Sequence, residues 1–278
     1  MPGRLDRLSQ QTPFITSVKP SGDYTVEELY RAGGIAAVMK EIEPLLDTTV
    51  MTANGKTLAE NLQDVRVRDR KVIRPLSDPL SPDGGLRILR GSLAPDGAVI
   101  KTAAATPGLL RHTGPAVVLR SRSQDDIDRD FAHITADHVI INRNMGPVGA
   151  PGMPEVGPVG LPRHLLRQGV RDMVRITDAR MSGTSYGTIV LHVAPEAAVG
   201  GPLAVVEDGD RIELDATRGV LNLLVDEREI RRRLASWKPA PPAYTQGYRA
   251  LWIDQVTQAP EGCDFKFCSE KDWLLRKG

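Results

Sequence analysis

Helical periodicity dominates the chain up to about residue 65. Thr25 and Glu28 have the spacing of a capping box, in which each side chain accepts the other residue's backbone N–H. Apolar residues recur at helical spacing from residue 26 to residue 46, but Gly33 and Gly34 interrupt them. We therefore expect two short helices or a sharp kink, because glycine weakens a helix interior.

The same segment is apolar enough to need a packing partner. It is short for a hydrophobic core of its own, so we expect it to pack on another domain or a second subunit. The expected sign is an exposed apolar patch. Its members would be Ile35, Val38, Met39 and Ile42.

From about residue 70, short β-branched runs separated by glycine and proline predict a β-rich domain. The predicted strands are 98–103, 116–120, 138–142, 172–178, 188–193, 203–207, 211–215 and 219–225. Asp208-Gly209 predicts a tight hairpin between two of them. Helices are predicted at 162–168, opening with Pro162, and at 227–236 after the N-cap Asp226. The fold class is therefore α+β, with a closed or nearly closed sheet and a few covering helices.

Composition and charge exclude several classes of protein. Hydrophobic residues make up 41% and charged residues 26% of the 278 residues, which is typical of a folded chain. No run approaches the roughly 18 apolar residues of a membrane helix, and the first residues lack a signal-peptide core, so a cytoplasmic protein fits best. A net charge of +1 gives a nucleic-acid partner no global electrostatic support.

The stretch 146–160 is rich in glycine and proline and carries a single charge, Glu155. A rigid loop that presents one carboxylate suits a hard cation such as Mg²⁺, which takes one or two carboxylates together with water and substrate oxygens. The alternative is a surface loop whose glutamate is merely solvated.

A second candidate is the hydroxyl-rich turn 182–185, which follows a predicted strand. Such a turn can direct side-chain oxygens and backbone N–H groups at an anionic ligand. Ser182 could act as a nucleophile or a base, but a serine needs activation for either role. The alternative is a structural turn, with Asp178 and Arg180 simply paired.

The other polar candidates carry weaker signals. His192 lies in an apolar strand and is interpreted as a core histidine with its hydrogen bonds satisfied. Cys263 and Cys268 cannot by themselves form a disulfide framework or a four-ligand metal site. Two ordinary thiols are the better interpretation.

Long motifs along the chain resemble the dihydroxy-acid dehydratase/phosphogluconate dehydratase family. They are KPSGDY (19–24), AGGIAAVMKEI (32–42), GKTLAEN (55–61), GAVIKTAA (97–104), PGMPEVG (151–157), GVRDMVRITDARMSGT (169–184), VLHVAPEAAVGGPLAVVEDGD (190–210) and GCDF (262–265). They occur in the family's order over nearly the whole chain. DARMSGT and VLHVAPEAAVGGPL are most similar to the sugar-acid (aldonate) dehydratases.

The resemblance implies a hydro-lyase that removes water from a 2,3-dihydroxy acid to give a 2-keto acid. By motif, Glu155 matches a Mg²⁺ ligand, Ser182 the base at C2 and Thr184 a substrate-binding residue. In this family an iron–sulfur cluster acts as the Lewis acid for the departing C3 hydroxyl. The implied fold is a swivelling β-rich domain that closes over the active site.

The chain also departs from the family pattern. Family members are about twice as long, and their first halves carry the cluster cysteines and further Mg²⁺ carboxylates. Cys263 and Cys268 match no cluster position. Smaller departures lie at 120–130 and 139–147.

Taken together, the sequence predicts the C-terminal part of a metal-dependent dehydratase. Residues 1–68 would be the last helices and linker of an absent N-terminal α/β domain, and 69–278 the swivelling domain. Expected partners are a small acid substrate and either a second copy, a missing N-terminal half or an intact paralogue. The alternatives are a truncated, non-catalytic remnant or a module that binds an acid or a partner protein.

Overall fold

The computed structural model describes residues 2–268, so the last ten residues of the predicted second domain lie outside the described part. The chain forms two compact units. One comprises Asp6–Leu86, and the other runs from Arg87 onward and takes in the first few residues.

The described helices and strands are as follows. The helices are α1 (Pro2–Gln11), α2 (Val26–Arg31), α3 (Gly34–Glu41), α4 (Leu58–Leu62), α5 (Gln124–Asp130), α6 (Arg163–Arg167), α7 (Glu227–Ser236) and α8 (Gly247–Gln255). The strands are β1 (Arg87–Leu89), β2 (Gly97–Ile100), β3 (Arg111–Val118), β4 (Val139–Asn142), β5 (Arg175–Thr177), β6 (Ile189–Ala194), β7 (Arg211–Asp215) and β8 (Val220–Leu223). Within the described range, no helix is long and apolar enough to cross a membrane.

The smaller unit contains the predicted pair of short helices. The capping box forms: Glu28 N–H donates to Thr25 Oγ1 at 3.2 Å, and Thr25 N–H donates to Glu28 Oε2 at 2.7 Å. Gly33 separates α2 from α3 with a φ of +120°, a value that residues other than glycine rarely adopt. A Cβ at Gly33 would also lie 2.5 Å from Ala37 Cβ.

The smaller unit has a hydrophobic cluster of its own, so the expectation that the N-terminal segment has no core within its own unit is wrong. The cluster consists of Ile15, Ala32, Ala37, Val72 and Ile73, with Val38 and Ile42 packed against it. The prediction failed because two of the buried residues lie beyond residue 65, where helical periodicity has ended. Of the four predicted patch residues, only Ile35 is largely exposed, at 66%.

The larger unit is built on an eight-stranded mixed sheet in the order β1-β2-β6-β5-β4-β3-β7-β8. Strands β6, β5, β4 and β3 are parallel neighbours, and both flanks are antiparallel. The two edges meet just beyond β1, where Arg90 N–H donates to Gly219 O at 2.9 Å and Leu221 N–H donates to Arg90 O at 2.8 Å. This confirms an α+β fold with a barrel-like sheet.

Alternation along the strands separates an inner core from an outer one. In β4, Ile141 belongs to the cluster inside the sheet, whereas Ile140 belongs to a second cluster on the outside. The outer cluster includes Ile127 of α5 and Leu165 of α6, so these helices cover that face. Both neighbouring isoleucines are fully buried, as expected for a strand in a parallel layer covered on both sides.

Most predicted strands are confirmed, but the strand at 203–207 is wrong. Residues Pro202–Val205 form a 3-10 helix, which proline favours at its first position. Asp208-Gly209 is consequently not a hairpin turn between two strands. Asp208 instead accepts the N–H of Val118 at the end of β3, at 2.7 Å. The predicted helices at 162–168 and 227–236 are confirmed as α6 and α7.

Candidate functional site

The carboxyl ends of the four parallel strands lie at one edge of the sheet. In sheets of this kind ligands bind beyond that edge. The stretch that contains Glu155 follows β4, and the turn that contains Ser182 follows β5. Both predicted loops therefore begin at the same edge.

The Ser182 turn brings two hydroxyl groups together. Ser182 Oγ and Thr184 Oγ1 lie 2.9 Å apart, and Ser185 N–H closes the turn on Ser182 O at 3.0 Å. Lys101, which the sequence analysis did not single out, donates through Nζ to Gly183 O at 2.8 Å. Partial burial lowers the pKa of this lysine. The turn thus combines two hydroxyls with a nearby ammonium group.

The Glu155 loop has a defined backbone conformation. Met153 N–H donates to Ala150 O at 2.8 Å, and Val156 N–H donates to Pro154 O at 2.8 Å. Asn142, at the end of β4, donates through Nδ2 to Val156 O at 3.0 Å. The Glu155 side chain is exposed on this ordered loop.

Arg180 connects the two loops. Its Nε donates to Met153 O at 2.6 Å, and its carbonyl oxygen accepts Gly157 N–H at 2.8 Å. A Cβ at Gly157 would lie 2.7 Å from Leu191 Cδ2 and 2.8 Å from Arg180 O, so the close approach requires glycine. The segments that carry Glu155 and Ser182 are therefore adjacent. That their side chains face one cleft stays a prediction.

Two buried carboxylates support the start of the Glu155 loop, and the sequence analysis missed this role for both. Asp178 accepts the N–H groups of Met145 and Ala197 at 2.9 Å each and that of Asn144 at 3.1 Å. Burial raises the pKa of Asp178 to about 6, although these three bonds act in the opposite direction. Because the carboxylate is occupied in this way and Arg180 bonds Met153, the interpretation of Asp178 and Arg180 as a pair is wrong.

Glu196 supports the next residues of the loop. Its carboxylate accepts the N–H groups of Val148 and Gly149, both at 2.9 Å, and the Gln258 side-chain amide at 2.7 Å. A Cβ at Gly146 would lie 2.7 Å from Glu196 Oε2. Only 1% of Glu196 is exposed. A carboxylate buried among N–H donors fixes the loop through charge-assisted hydrogen bonds.

His192 is not the satisfied core histidine that its apolar neighbours indicated. It has a φ of +53°, at an irregularity in the pairing of β2 with β6. Its Nδ1 is buried and, among the described residues, has no hydrogen-bond partner. Burial, and secondarily Arg180, lower the pKa of its imidazole. Alternation of apolar residues gives no signal for such a backbone change.

The described residues contain no group of three or more His, Cys, Asp or Glu side chains that could hold a metal ion. Glu155 offers one exposed carboxylate, which fits Mg²⁺ as a single protein ligand beside water and substrate oxygens. The chain does not fit an iron–sulfur cluster, which is held by several thiolates. Cys263 is half-buried, and burial raises the pKa of its thiol, whereas Cys268 is exposed.

Comparison with known proteins agrees with the order of motifs along the chain. Residues 71–263 match the dihydroxy-acid/6-phosphogluconate dehydratase C-terminal family. The chain belongs to this family. Residues 2–61 match the corresponding N-terminal family.

Three curated relatives illustrate the range of similarity within the dehydratase family. L-arabonate dehydratase of Azospirillum brasilense is 51% identical over 94% of this chain and 47% of its own length. 6-deoxy-6-sulfo-D-gluconate dehydratase of Pseudomonas putida is 47% identical over 95% of this chain and 47% of its own length. Dihydroxy-acid dehydratase of Acetivibrio thermocellus is 40% identical over 93% of this chain and 47% of its own length. The chain spans about half the length of these relatives, and of the three it is more similar to those named for sugar acids.

Proposed function

We propose that this chain is the C-terminal part of a hydro-lyase that converts a 2,3-dihydroxy acid, and specifically an aldonate, into a 2-keto acid. The observation that carries the proposal is the Arg180 link between the Glu155 loop and the Ser182 turn. The names of the sugar-acid relatives support the substrate class.

Ser182 is assigned as the base at C2. As the alkoxide it takes the C2 proton on Oγ, the electron pair of the C2–H bond forms the C2–C3 double bond, and the C3–O bond breaks to release hydroxide. The hydroxide becomes water by taking a proton from solvent, and Ser182 returns its proton to solvent. The resulting enol then tautomerises to the keto acid. Serine is a weak base and requires activation. The Lys101 ammonium beside the turn favours an alkoxide electrostatically, and a hydrogen bond from Thr184 Oγ1 stabilises it further.

Thr184 and Glu155 are assigned to binding. The Thr184 hydroxyl is exposed beside Ser182 and positions a substrate oxygen. Glu155 holds Mg²⁺ as one of its ligands. When bound, Mg²⁺ supplies Lewis-acid stabilisation of the negative charge that develops next to the substrate carboxylate. The described residues do not fit an iron–sulfur cluster. This chain therefore removes the C2 proton and takes no part in the departure of the C3 hydroxyl.

A chimera tests the assignment directly. This chain would replace the corresponding half of the Azospirillum L-arabonate dehydratase, and 2-keto acid would be measured with L-arabonate and Mg²⁺. We expect turnover that Ser182→Ala reduces by about 10²-fold or more, as for loss of a general base. The matched control Ser185→Ala, in the same turn, should keep turnover. Equal activity of the Ser182→Ala and unsubstituted chimeras, or a folded chimera inactive on every sugar acid and dihydroxy acid, would contradict the proposal.

A further inference from the structure

A cavity of about 680 Å³ opens at the carboxyl ends of β3 and β4. Its polar lining comes from three separate parts of the chain. The polar residues include Arg120, Ser121, Arg122, Asn142, Arg143 and Asp208. From the charges in this cavity we infer a binding site for the oxyanion of a small organic acid. The inference does not rest on the proposed catalytic roles.

Arg143 provides the most enclosed charge. The side chain is half-buried, and its Nη1 donates to Ala204 O at 2.6 Å and to Val206 O at 3.0 Å. Carbonyl oxygens orient a guanidinium group but do not neutralise it. In the described part of the chain Arg143 makes no ion pair within 4 Å, and burial lowers its pKa, although the charges of Asp208 and Asp178 act in the opposite direction. A charge withdrawn from water is costly unless an opposite charge accompanies it.

Arg122 also lines the cavity, and its side chain is exposed. Its Nη2 donates to Pro158 O at 3.0 Å, which also ties it to the end of the Glu155 loop. No carboxylate among the described residues forms an ion pair with Arg122, and partial burial lowers its pKa. Two guanidinium groups in one cavity thus lack a direct counter-ion.

Arg120 forms an ion pair with Asp208, and this pairing reduces the repulsion between the Asp208 carboxylate and an incoming anion. Its Nη2 donates to Asp208 Oδ2 at 2.6 Å, and the other oxygen of Asp208 accepts Val118 N–H at 2.7 Å. Glu207, the other acidic residue of the lining, lies 3.3 Å from Arg233 outside the cavity. The cavity therefore keeps a surplus of positive charge.

The geometry favours a small oxyanion over a polymer. Guanidinium groups match carboxylate, phosphate and sulfonate oxygens through paired N–H donors. The volume is in the range of small-molecule sites. A net charge of +1 over the whole sequence gives a nucleic acid no global electrostatic attraction.

The test is a binding titration of the isolated full chain by calorimetry, with inorganic phosphate, L-arabonate and the neutral sugar L-arabinose as probes. We expect saturable binding of at least one anion and none of L-arabinose. Tighter binding of phosphate would identify a phosphate group as the preferred ligand, and tighter binding of L-arabonate a carboxylate. Saturation by neither anion, or equal binding of L-arabinose, would overturn the inference.

Variants locate the binding in the cavity. Arg122→Gln should weaken anion binding about tenfold, through loss of one charge-assisted hydrogen bond. Arg171→Gln is the matched control, because Arg171 is also exposed and donates to a backbone carbonyl, Leu166 O, at 2.8 Å. Ser182→Ala should leave phosphate binding unchanged. Unaltered binding by Arg122→Gln, or loss of phosphate binding by Ser182→Ala, would place the anion elsewhere and overturn the inference, whatever the result with the chimera.

Discussion

Arg180 Nε donates to the carbonyl oxygen of Met153 at 2.6 Å, across 27 residues of sequence. The link joins a loop with an exposed carboxylate to a turn with two hydroxyls. Since Arg180 is exposed and Asp178 does not compete for it, the guanidinium acts as a tether between loops. Its removal should loosen the Glu155 loop without unfolding the barrel.

The first prediction concerns this tether. In Arg180→Gln, backbone N–H groups at 153–157 should exchange with deuterium about tenfold faster, because a hydrogen bond from a charged donor is lost. Hydrogen exchange read by mass spectrometry measures this, with Arg171→Gln as the control. Unchanged exchange in the loop would show that its own internal bonds are sufficient.

The second prediction concerns Gly157. Gly157→Ala should lower the free energy of unfolding by about 1–3 kcal/mol, because the added methyl group meets Leu191 and a backbone carbonyl. Gly108→Ala is the control, since a Cβ there has no heavy atom within 4 Å. Urea denaturation compares the two variants. Equal stability would mean that the loop can shift away from β6.

The third prediction is a pH dependence caused by Asp178. Its pKa is about 6 in the folded protein against an ordinary value of 3.8. The folded state therefore binds the proton more tightly, and this contribution to stability is present below about pH 4 and is lost as the pH rises through 6.

Asp178→Asn removes this titration. The free energy of unfolding of the variant, minus that of the unsubstituted chain, should rise on the order of 1–3 kcal/mol between pH 4 and pH 7. Denaturation at several pH values measures the difference, and any constant cost of the substitution cancels. A difference that does not change with pH would show that Asp178 titrates at its ordinary pKa.

The fourth prediction concerns Lys101 and depends on the proposed function. In the chimera, Lys101→Met should reduce kcat about tenfold or more and move the rising limb of its pH profile to higher pH, because the alkoxide of Ser182 loses a nearby positive charge. Lys101→Arg keeps the charge and should restore most of the profile. A reduced kcat with an unmoved profile would indicate a purely structural lysine.

Much of the barrel could be predicted from local sequence. Runs such as VIIN at 139–142 are short and rich in β-branched residues, which favours a buried strand, and Asp226 is a typical N-cap before α7. The failures have local causes. The apolar run that begins at Pro202 forms a 3-10 helix instead of a strand. Helix α5 was not predicted, because its sequence is mostly polar and only Ile127 is buried against the sheet.

The candidate site was less predictable, because its support comes from distant parts of the chain. Glu155, Ser182 and Thr184 could be singled out by motif, whereas Glu196 resembles a surface carboxylate until the fold buries it beneath 148–149. The arginine cavity combines 120–122 with 142–145 and 206–208, and no spacing rule connects these segments. The left-handed backbone of His192 likewise depends on strand pairing rather than on its neighbours.

The closure of the barrel at Arg90 has a consequence for the order of folding. Arg90 pairs with Val220, so the first strand of the sheet finds its second neighbour only after about 130 further residues have been synthesised. Until then β1 has an unsatisfied edge, and so does every partial sheet that lacks β8. On the ribosome, residues 87–223 should therefore gain protease resistance in one late step rather than strand by strand.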